Sequence, residues 1–135
     1  RYAKTIGHLP IDAFLQQRDL KSAVEAFFAT TIKCVASKQR PRGCLIMNVA
    51  GERAAIDEEV RARMDDAYNE KVSLIAERIE AVREPGQPPG SPDANILARM
   101  IVSIMHSLAA RARVGASRKE LSELAKSFSN LLIPK

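Results

Sequence analysis

Side chains able to do chemistry are sparse in this sequence, which has two cysteines and two histidines among 135 residues. Cys44 follows a glycine and lies close to Arg40 and Arg42, whose positive charges could stabilise a thiolate. Such a thiol would act as a sensor of oxidants or electrophiles. The simpler interpretation is an inert, buried thiol, and the pattern alone leaves both open.

No combination of these residues is typical of a metal centre or an enzyme. Cys34 and Cys44 form no CxxC pair, and neither lies near a histidine at metal-ligand spacing. The sequence also lacks an HExxH motif, a nucleophile elbow and a glycine-rich phosphate loop. We therefore predict a protein that is not an enzyme and that uses no metal or cofactor. Two cysteines are too few for a secreted disulfide scaffold, so a cytoplasmic location is expected.

The net charge of +5 arises from 21 basic and 16 acidic side chains, but the basic residues form no continuous stripe. Their only cluster is Lys38, Arg40 and Arg42, in a junction without aromatic neighbours for base stacking. Direct contact with nucleic acid is therefore not expected from this chain. Nor does any stretch approach the roughly 20 consecutive apolar residues of a membrane span, so no membrane partner is predicted.

Helical periodicity dominates the sequence, and no segment alternates as a β-strand would. With 46% hydrophobic residues, the chain has enough apolar material for one core and a single domain over residues 1–135. We predict an all-α fold of five to six helices. They comprise a first helix that Pro10 kinks or restarts and helices at about residues 19–38, 44–50, 57–83, 92–114 and 117–132.

The ends of these helices are marked by residues with a local physical role. Asp19 and Asp57 can accept hydrogen bonds as N-caps, and Ser91-Pro92 pairs a cap with proline in the first helical position. Ser117–Glu120 matches the capping box. Gly115 can adopt the left-handed conformation that ends a helix.

The predicted helix at 92–114 is apolar over most of its circumference, with a narrow polar stripe of Asn95, Arg99, Ser103 and His106. Such a helix is buried on several sides, so it is central, or it lies in the core and a subunit interface together. On it, His106 is more simply a hydrogen-bonded core or interface residue than a ligand contact. The helix at 57–83 instead has one apolar stripe, made of Val60, Met64, Ala67, Tyr68, Val72, Ile75, Ile79 and Val82.

The last helix has one apolar face, made of Leu121, Leu124, Ala125, Phe128, Leu131 and Leu132. Together with the helix before it, it forms a hairpin that could pair with a second copy as a four-helix bundle. Alternatively, the hairpin packs only on the long helix. The residues alone leave both arrangements open.

Three segments resemble the C-terminal domain of TetR/AcrR-family transcriptional regulators. Residues 41–50, PRGCLIMNVA, are similar to a PRGCLxxN-type segment of the family, and residues 57–61, DEEVR, match the acidic start of a long helix. Residues 109–121, AARARVGASRKEL, resemble the junction before the family's last helix. The match covers roughly residues 40–132, and its order and spacing are more specific than any one motif.

The resemblance implies an orthogonal helical bundle that dimerises through its last two helices. The implied interface residues are Leu108, Leu121, Leu124, Ala125, Phe128, Leu131 and Leu132. The resemblance also implies that a helix-turn-helix domain precedes this chain and that residues 1–4 belong to the helix that links this domain to the sensor domain. Operator DNA would then be bound only through the helix-turn-helix domain, which is missing from this chain.

The resemblance further implies a cavity for a small hydrophobic or amphipathic effector, whose binding shifts the population of helix arrangements. Candidate cavity residues are Phe27, Phe28, Met47, Met64, Tyr68, Met100 and Ile104, although ordinary core is the simpler interpretation of each one. Methionine and phenylalanine suit an adaptable apolar pocket, and Tyr68 could add a polar anchor. The alternatives are a structural dimerisation module without a ligand and a thiol sensor acting through Cys44.

Overall fold

The computed structural model describes residues 9–37, 53–83 and 93–134, and within these ranges the chain is all-helical with no strand. Five helices follow one another: α1 (Leu9–Leu15), α2 (Leu20–Val35), α3 (Glu58–Val82), α4 (Ala94–Arg113) and α5 (Arg118–Leu132). The all-α prediction is confirmed. The predictions for residues 1–4, for the basic cluster at 38–42, for the helix at 44–50 and for Ser91-Pro92 lie outside the described residues.

Three of the predicted N-caps are confirmed by their hydrogen bonds. Asp19 Oδ1 accepts from the backbone N–H of Ser22 at 2.8 Å, which lowers the pKa of Asp19. Asp57 Oδ1 accepts from the N–H groups of Glu59 and Val60 at 2.9 and 3.2 Å. Ser117 Oγ accepts from the N–H of Glu120 at 3.1 Å. Each cap satisfies backbone donors that the first helical turn leaves unpaired.

Two predicted boundaries differ from the structure. Helix α2 ends at Val35, three residues before the predicted end at Lys38. Helix α4 begins at Ala94, two residues after Pro92, and its N-cap is Asp93, whose side chain makes no capping hydrogen bond. Helix ends are the least determined part of a periodic pattern, because the apolar stripe continues past the residue where backbone hydrogen bonding stops.

The turn between α4 and α5 is a Schellman motif built on Gly115. This glycine has φ of 98°, its N–H donates to the carbonyl of Ala112, and the N–H of Ala116 donates to the carbonyl of Arg111. Buried Ala116 adds an apolar contact after the turn. The left-handed stop predicted for Gly115 is therefore confirmed.

Replacing Gly115 with alanine is expected to lower the free energy of unfolding by about 1–2 kcal/mol, because a Cβ atom is strained in the left-handed region. Space is not the reason, since a Cβ there would meet nothing within 4 Å. Urea unfolding measures the change. Gly115→Asn is the control, because asparagine tolerates this conformation better and should cost less. An alanine variant as stable as the wild type would contradict this account.

Helices α2 and α4 form the centre of the bundle. Helix α2 packs against α1, α4 and α5, and α4 packs against α2, α3 and α5. The rings of Phe14, Phe27 and Phe28 meet edge to face, with centroids 6.2 Å apart for Phe14–Phe27 and 5.9 Å for Phe27–Phe28. The burial on several sides expected for the helix after residue 92 is confirmed, because α4 packs against three neighbouring helices.

Helix α3 is packed along only part of its length. Val72, Ile75 and Ile79 in its C-terminal half are fully buried. Val60, Met64 and Tyr68, nearer its start, are only half-buried. Ala67, which the sequence assigned to the apolar stripe of this helix, is exposed. A short alanine side chain at the margin of an apolar stripe adds little to burial, so periodicity assigned it to the wrong side.

Lys21 links the start of α2 to the end of α5. Its Nζ atom donates to the carbonyls of Ser129 and Ile133 and to Oδ1 of Asn130 at 3.3, 3.2 and 2.7 Å. A cation at a helix C-terminus pairs with unsatisfied carbonyls and with the negative end of the helix dipole. Lys21 therefore holds the last turn of α5 against α2.

Replacing Lys21 with methionine is expected to cost about 1–2 kcal/mol of stability, through the loss of these charge-assisted hydrogen bonds. Hydrogen exchange should show faster opening in the last turn of α5 than elsewhere in the helix. Lys33→Met is the matched control, because Lys33 lies on the same helix with its side chain exposed. Equal effects of the two substitutions would argue against the capping role.

No helix in the described part of the chain is long and apolar enough to cross a membrane.

Candidate functional site

The predicted cavity residues fall into three structural groups. Phe27 and Phe28 are fully buried in the aromatic cluster of the core. Met100 is 41% exposed on the outer side of α4. Met64, Tyr68 and Ile104 are half-buried on α3 and α4. Met47 lies outside the described residues, so the structure brings together only part of the predicted set.

Two of the half-buried residues, Met64 and Tyr68, lie in the N-terminal half of α3, the helix that packs against α4. Val72, Ile75 and Ile79 of α3 are fully buried, as are Ile101 and Val102 of α4, and the two helices pack against each other. Toward the start of α3 the side chains keep part of their surface in solvent. We call this region the open end of the α3–α4 seam, formed by Met64, Tyr68 and Lys71 of α3 and by Met105 and His106 of α4.

Two rings face each other at the open end of the seam. The centroids of Tyr68 and His106 are 6.4 Å apart, with the ring planes inclined by 41°. Burial lowers the pKa of the His106 imidazole, and the nearby positive charge of Lys71 lowers it further. His106 is therefore neutral at pH 7 and can both donate and accept a hydrogen bond. Sequence reasoning placed neither Lys71 nor Met105 among the candidate cavity residues, because nothing local distinguishes them from other helical residues.

The lowered pKa of His106 predicts that the folded chain loses stability in mild acid. The unfolded chain, with its histidine pKa near 6.5, binds more protons than the folded chain below that pH. The contribution of neutral His106 is therefore complete above about pH 6.5 and declines as the pH falls below it. Urea unfolding between about pH 7.5 and 5.5 should show a steeper loss for the wild type than for His106→Gln. Parallel curves would contradict the prediction.

Helices α4 and α5 present an apolar surface to solvent. Among its residues, Ile96 is 48% exposed, Val114 is 70% exposed and Leu131 is 77% exposed. Between them on α4 lie the small exposed residues Ser103, Ser107 and Ala110. We call this surface the α4–α5 face, made of Ile96, Met100, Ser103, Ser107, Ala110, Val114, Leu124, Phe128 and Leu131. An apolar surface of this kind on a small domain is typical of an interaction site.

The residues expected at the dimer interface divide between this face and the core. Leu108, Leu121 and Ala125 are buried inside the protomer, where they hold the hairpin to the rest of the bundle. Leu124, Phe128 and Leu132 are half-buried, and only Leu131 is largely exposed. Leu108, Leu121 and Ala125 therefore pack beneath the α4–α5 face, inside the protomer, and are not themselves exposed on it. Dimerisation through this face stays a prediction.

An ion pair also spans the junction at the tip of the hairpin. The carboxylate of Glu120 accepts from Nη2 and Nε of Arg111 at 3.2 and 3.4 Å. The sequence had placed Glu120 in a capping box, and the serine half of that box is confirmed. Both partners are about half exposed, so the pair contributes less to stability than to the register between α4 and α5.

The described residues offer little for redox or metal chemistry. Cys34 is half-buried on α2, and Cys44, the thiol considered for sensing, lies outside the described residues. Within residues 9–37, 53–83 and 93–134, no group of three or more His, Cys, Asp or Glu side chains is placed to hold a metal ion.

The described residues thus form an all-helical bundle whose last two helices make a hairpin with exposed apolar residues. The chain belongs to the family described as "Tetracyclin repressor-like, C-terminal domain", which matches residues 21–128. It is therefore a TetR-family transcriptional regulator domain, and this family is not a class of enzymes.

Among curated proteins, the chain is similar to the HTH-type transcriptional repressor ComR of Escherichia coli (strain K12). The two are 22% identical over 112 residues, which cover 83% of this chain and 53% of the repressor. The chain thus spans about half the length of this relative. No solved structure is significantly similar to it.

Proposed function

We propose that this chain is the effector-sensing and dimerisation domain of a TetR-like transcriptional repressor. Family membership and the likeness to a protein named as an HTH-type transcriptional repressor support this proposal. Because the chain spans about half of that relative, we place a DNA-binding helix-turn-helix in a preceding part of the protein. The regulator acts in the cytoplasm, on operator DNA.

The observation that carries the proposal is the α4–α5 face. Two copies of the hairpin, related by a two-fold axis, bury their apolar faces against each other as a four-helix bundle. The small side chains of Ser103, Ser107 and Ala110 let the two α4 helices approach closely. Ile96, Met100 and Leu131 supply apolar area around them. A dimer in turn gives the regulator two DNA-binding units at a fixed spacing.

Contacts between helices connect α3 with α1, the first described helix. Helix α1 packs on α2 and α3, with Phe14 against Phe27. Nη2 of Arg78, on α3, donates to the carbonyl of Gln17 just after α1 at 2.8 Å. An effector that prefers one position of α3 would therefore also favour one position of α1. In this proposal that shift alters the spacing of the DNA-binding units.

The first test of the proposal is the size of the 135-residue chain in solution. Sedimentation velocity at micromolar concentration is expected to give a dimer. A monomer at this concentration would contradict the assignment of the α4–α5 face as an interface.

The second test separates a sensor from a purely structural dimerisation module. A compound that binds only the folded state stabilises it, by about 2.7 kcal/mol at a hundred times its Kd. Thermal unfolding with a broad panel of hydrophobic, amphipathic and cationic compounds should therefore reveal compounds that raise the Tm. If none does while the chain remains a dimer, the structural module is the better description.

A further inference from the structure

The open end of the α3–α4 seam has a chemical character of its own. Tyr68 and His106 reach it from different helices, with their ring centroids 6.4 Å apart, and both side chains are half-buried. Met64 and Met105, also half-buried, add flexible apolar surface. The region therefore combines two aromatic rings with adaptable side chains, which suits a planar ligand better than a branched aliphatic one.

The charges around this region favour one sign of ligand. Lys71 lies one helical turn after Tyr68 and close enough to His106 to act on it electrostatically. Asp65 lies one turn before Tyr68, but it is exposed and its carboxylate accepts a hydrogen bond from Asn69 at 3.3 Å. The positive charge of Lys71 is thus the one that acts on the imidazole of His106, and it would repel a cationic ligand.

We infer that the open end of the α3–α4 seam binds a planar, ring-bearing effector that is neutral or anionic, with its ring against Tyr68 and a polar group at His106. This inference rests on the proposed sensing function and names the ligand class for it. The neutral imidazole donates to or accepts from the polar group of the ligand. Lys71 adds an attraction for a carboxylate, sulfonate or phenolate. Met64 and Met105 adjust to the outline of the ring.

Three naphthalene probes that differ in charge test the ligand class on the 135-residue chain. They are naphthalene-1-sulfonate as the anion, naphthalene-1-sulfonamide as the neutral compound and 1-naphthylmethylammonium as the cation, each with one naphthalene ring system and one small polar group. Titrations followed by fluorescence should show saturable binding of the first two, with a Kd at least about tenfold lower than that of the cation. Preference for the cation would overturn the inference.

Substitutions locate the probes and distinguish charge from packing. Tyr68→Leu should weaken the anionic and neutral probes about tenfold each through loss of the ring contact. Lys71→Gln should weaken only the anionic probe, by about fivefold, which a merely structural role for Lys71 would not produce. Lys126→Gln is the matched control, because Lys126 is an exposed lysine on α5. Equal effects of Lys71→Gln on both probes would contradict the assignment.

The α4–α5 face is the competing site for an apolar probe, and Leu131→Ser tests it. Binding that Leu131→Ser removes and Tyr68→Leu leaves unchanged would overturn the inference. The proposed function would survive that result if the compound panel still raised the Tm. If neither the probes nor the compounds of the panel bind, the inference and the proposed sensing function both fail. Probe binding that is unchanged in Leu131→Ser supports a site at the open end of the α3–α4 seam.

Discussion

Replacing Phe27 with alanine is expected to lower the free energy of unfolding by about 3–5 kcal/mol. The ring is fully buried and lies edge to face against both Phe14 and Phe28. Truncation removes its buried apolar surface and leaves a cavity that the neighbouring rings can fill only in part. Since a domain of this kind is stable by only about 5–15 kcal/mol, the variant should lose a large share of its stability.

Urea unfolding of Phe27→Ala also decides between two roles for this residue. The sequence placed Phe27 among candidate cavity residues, whereas the structure buries it in the core. A loss below about 1 kcal/mol would mean that the ring borders an opening and would contradict the packing account. Ile56→Ala is the control, because Ile56 is 84% exposed and its truncation should change stability by less than about 0.5 kcal/mol.

Placing a charge in the middle of the α4–α5 face is expected to separate the proposed dimer. Ser107 is exposed near the centre of the apolar and small residues of α4. In a two-fold dimer Ser107→Glu introduces a carboxylate from each protomer into the same contact, where both lose water and repel each other. The dissociation constant should rise by about 100-fold or more, equivalent to about 2.7 kcal/mol.

Ser122→Glu is the matched control for Ser107→Glu. Ser122 is exposed on the side of α5 opposite Leu131, away from the α4–α5 face. Each new glutamate lies four residues before a basic side chain, Arg111 or Lys126, and of these two Arg111 already pairs with Glu120. Sedimentation should show a monomer for Ser107→Glu and a dimer for Ser122→Glu. If both remain dimeric with unchanged affinity, the interface lies elsewhere.

Local signals determined where most of the helices begin and end. Asp19, Asp57 and Ser117 cap helices through bonds to N–H groups two or three residues away, and Gly115 ends α4 through its own backbone conformation. These interactions depend on neighbours in sequence, so the residue type and spacing were enough to predict them. The exceptions are the end of α2 at Val35 and the start of α4, where Asp93 holds the cap position without a side-chain hydrogen bond.

The candidate site was only partly predictable, because helical periodicity identifies apolar residues without saying what they face. The same pattern included Leu108 and Leu121, which are buried in the protomer, and Leu131, which is exposed. It also included Phe27 in the core and Tyr68 at the open end of the seam. Which of several apolar stripes remains uncovered depends on how many neighbouring helices pack on it, and that is a property of the whole bundle.

The sequence by itself determined the all-α class, the helix caps, the left-handed turn at Gly115 and the family resemblance of the chain. Only the tertiary structure decided which residues far apart in sequence act together. Lys21 caps a helix that ends more than 100 residues later, and Tyr68 meets His106 across two helices. Caps and turns are set by interactions within about one helical turn of the chain. Pairings between helices are set instead by the packing of complete apolar faces, which no single segment contains.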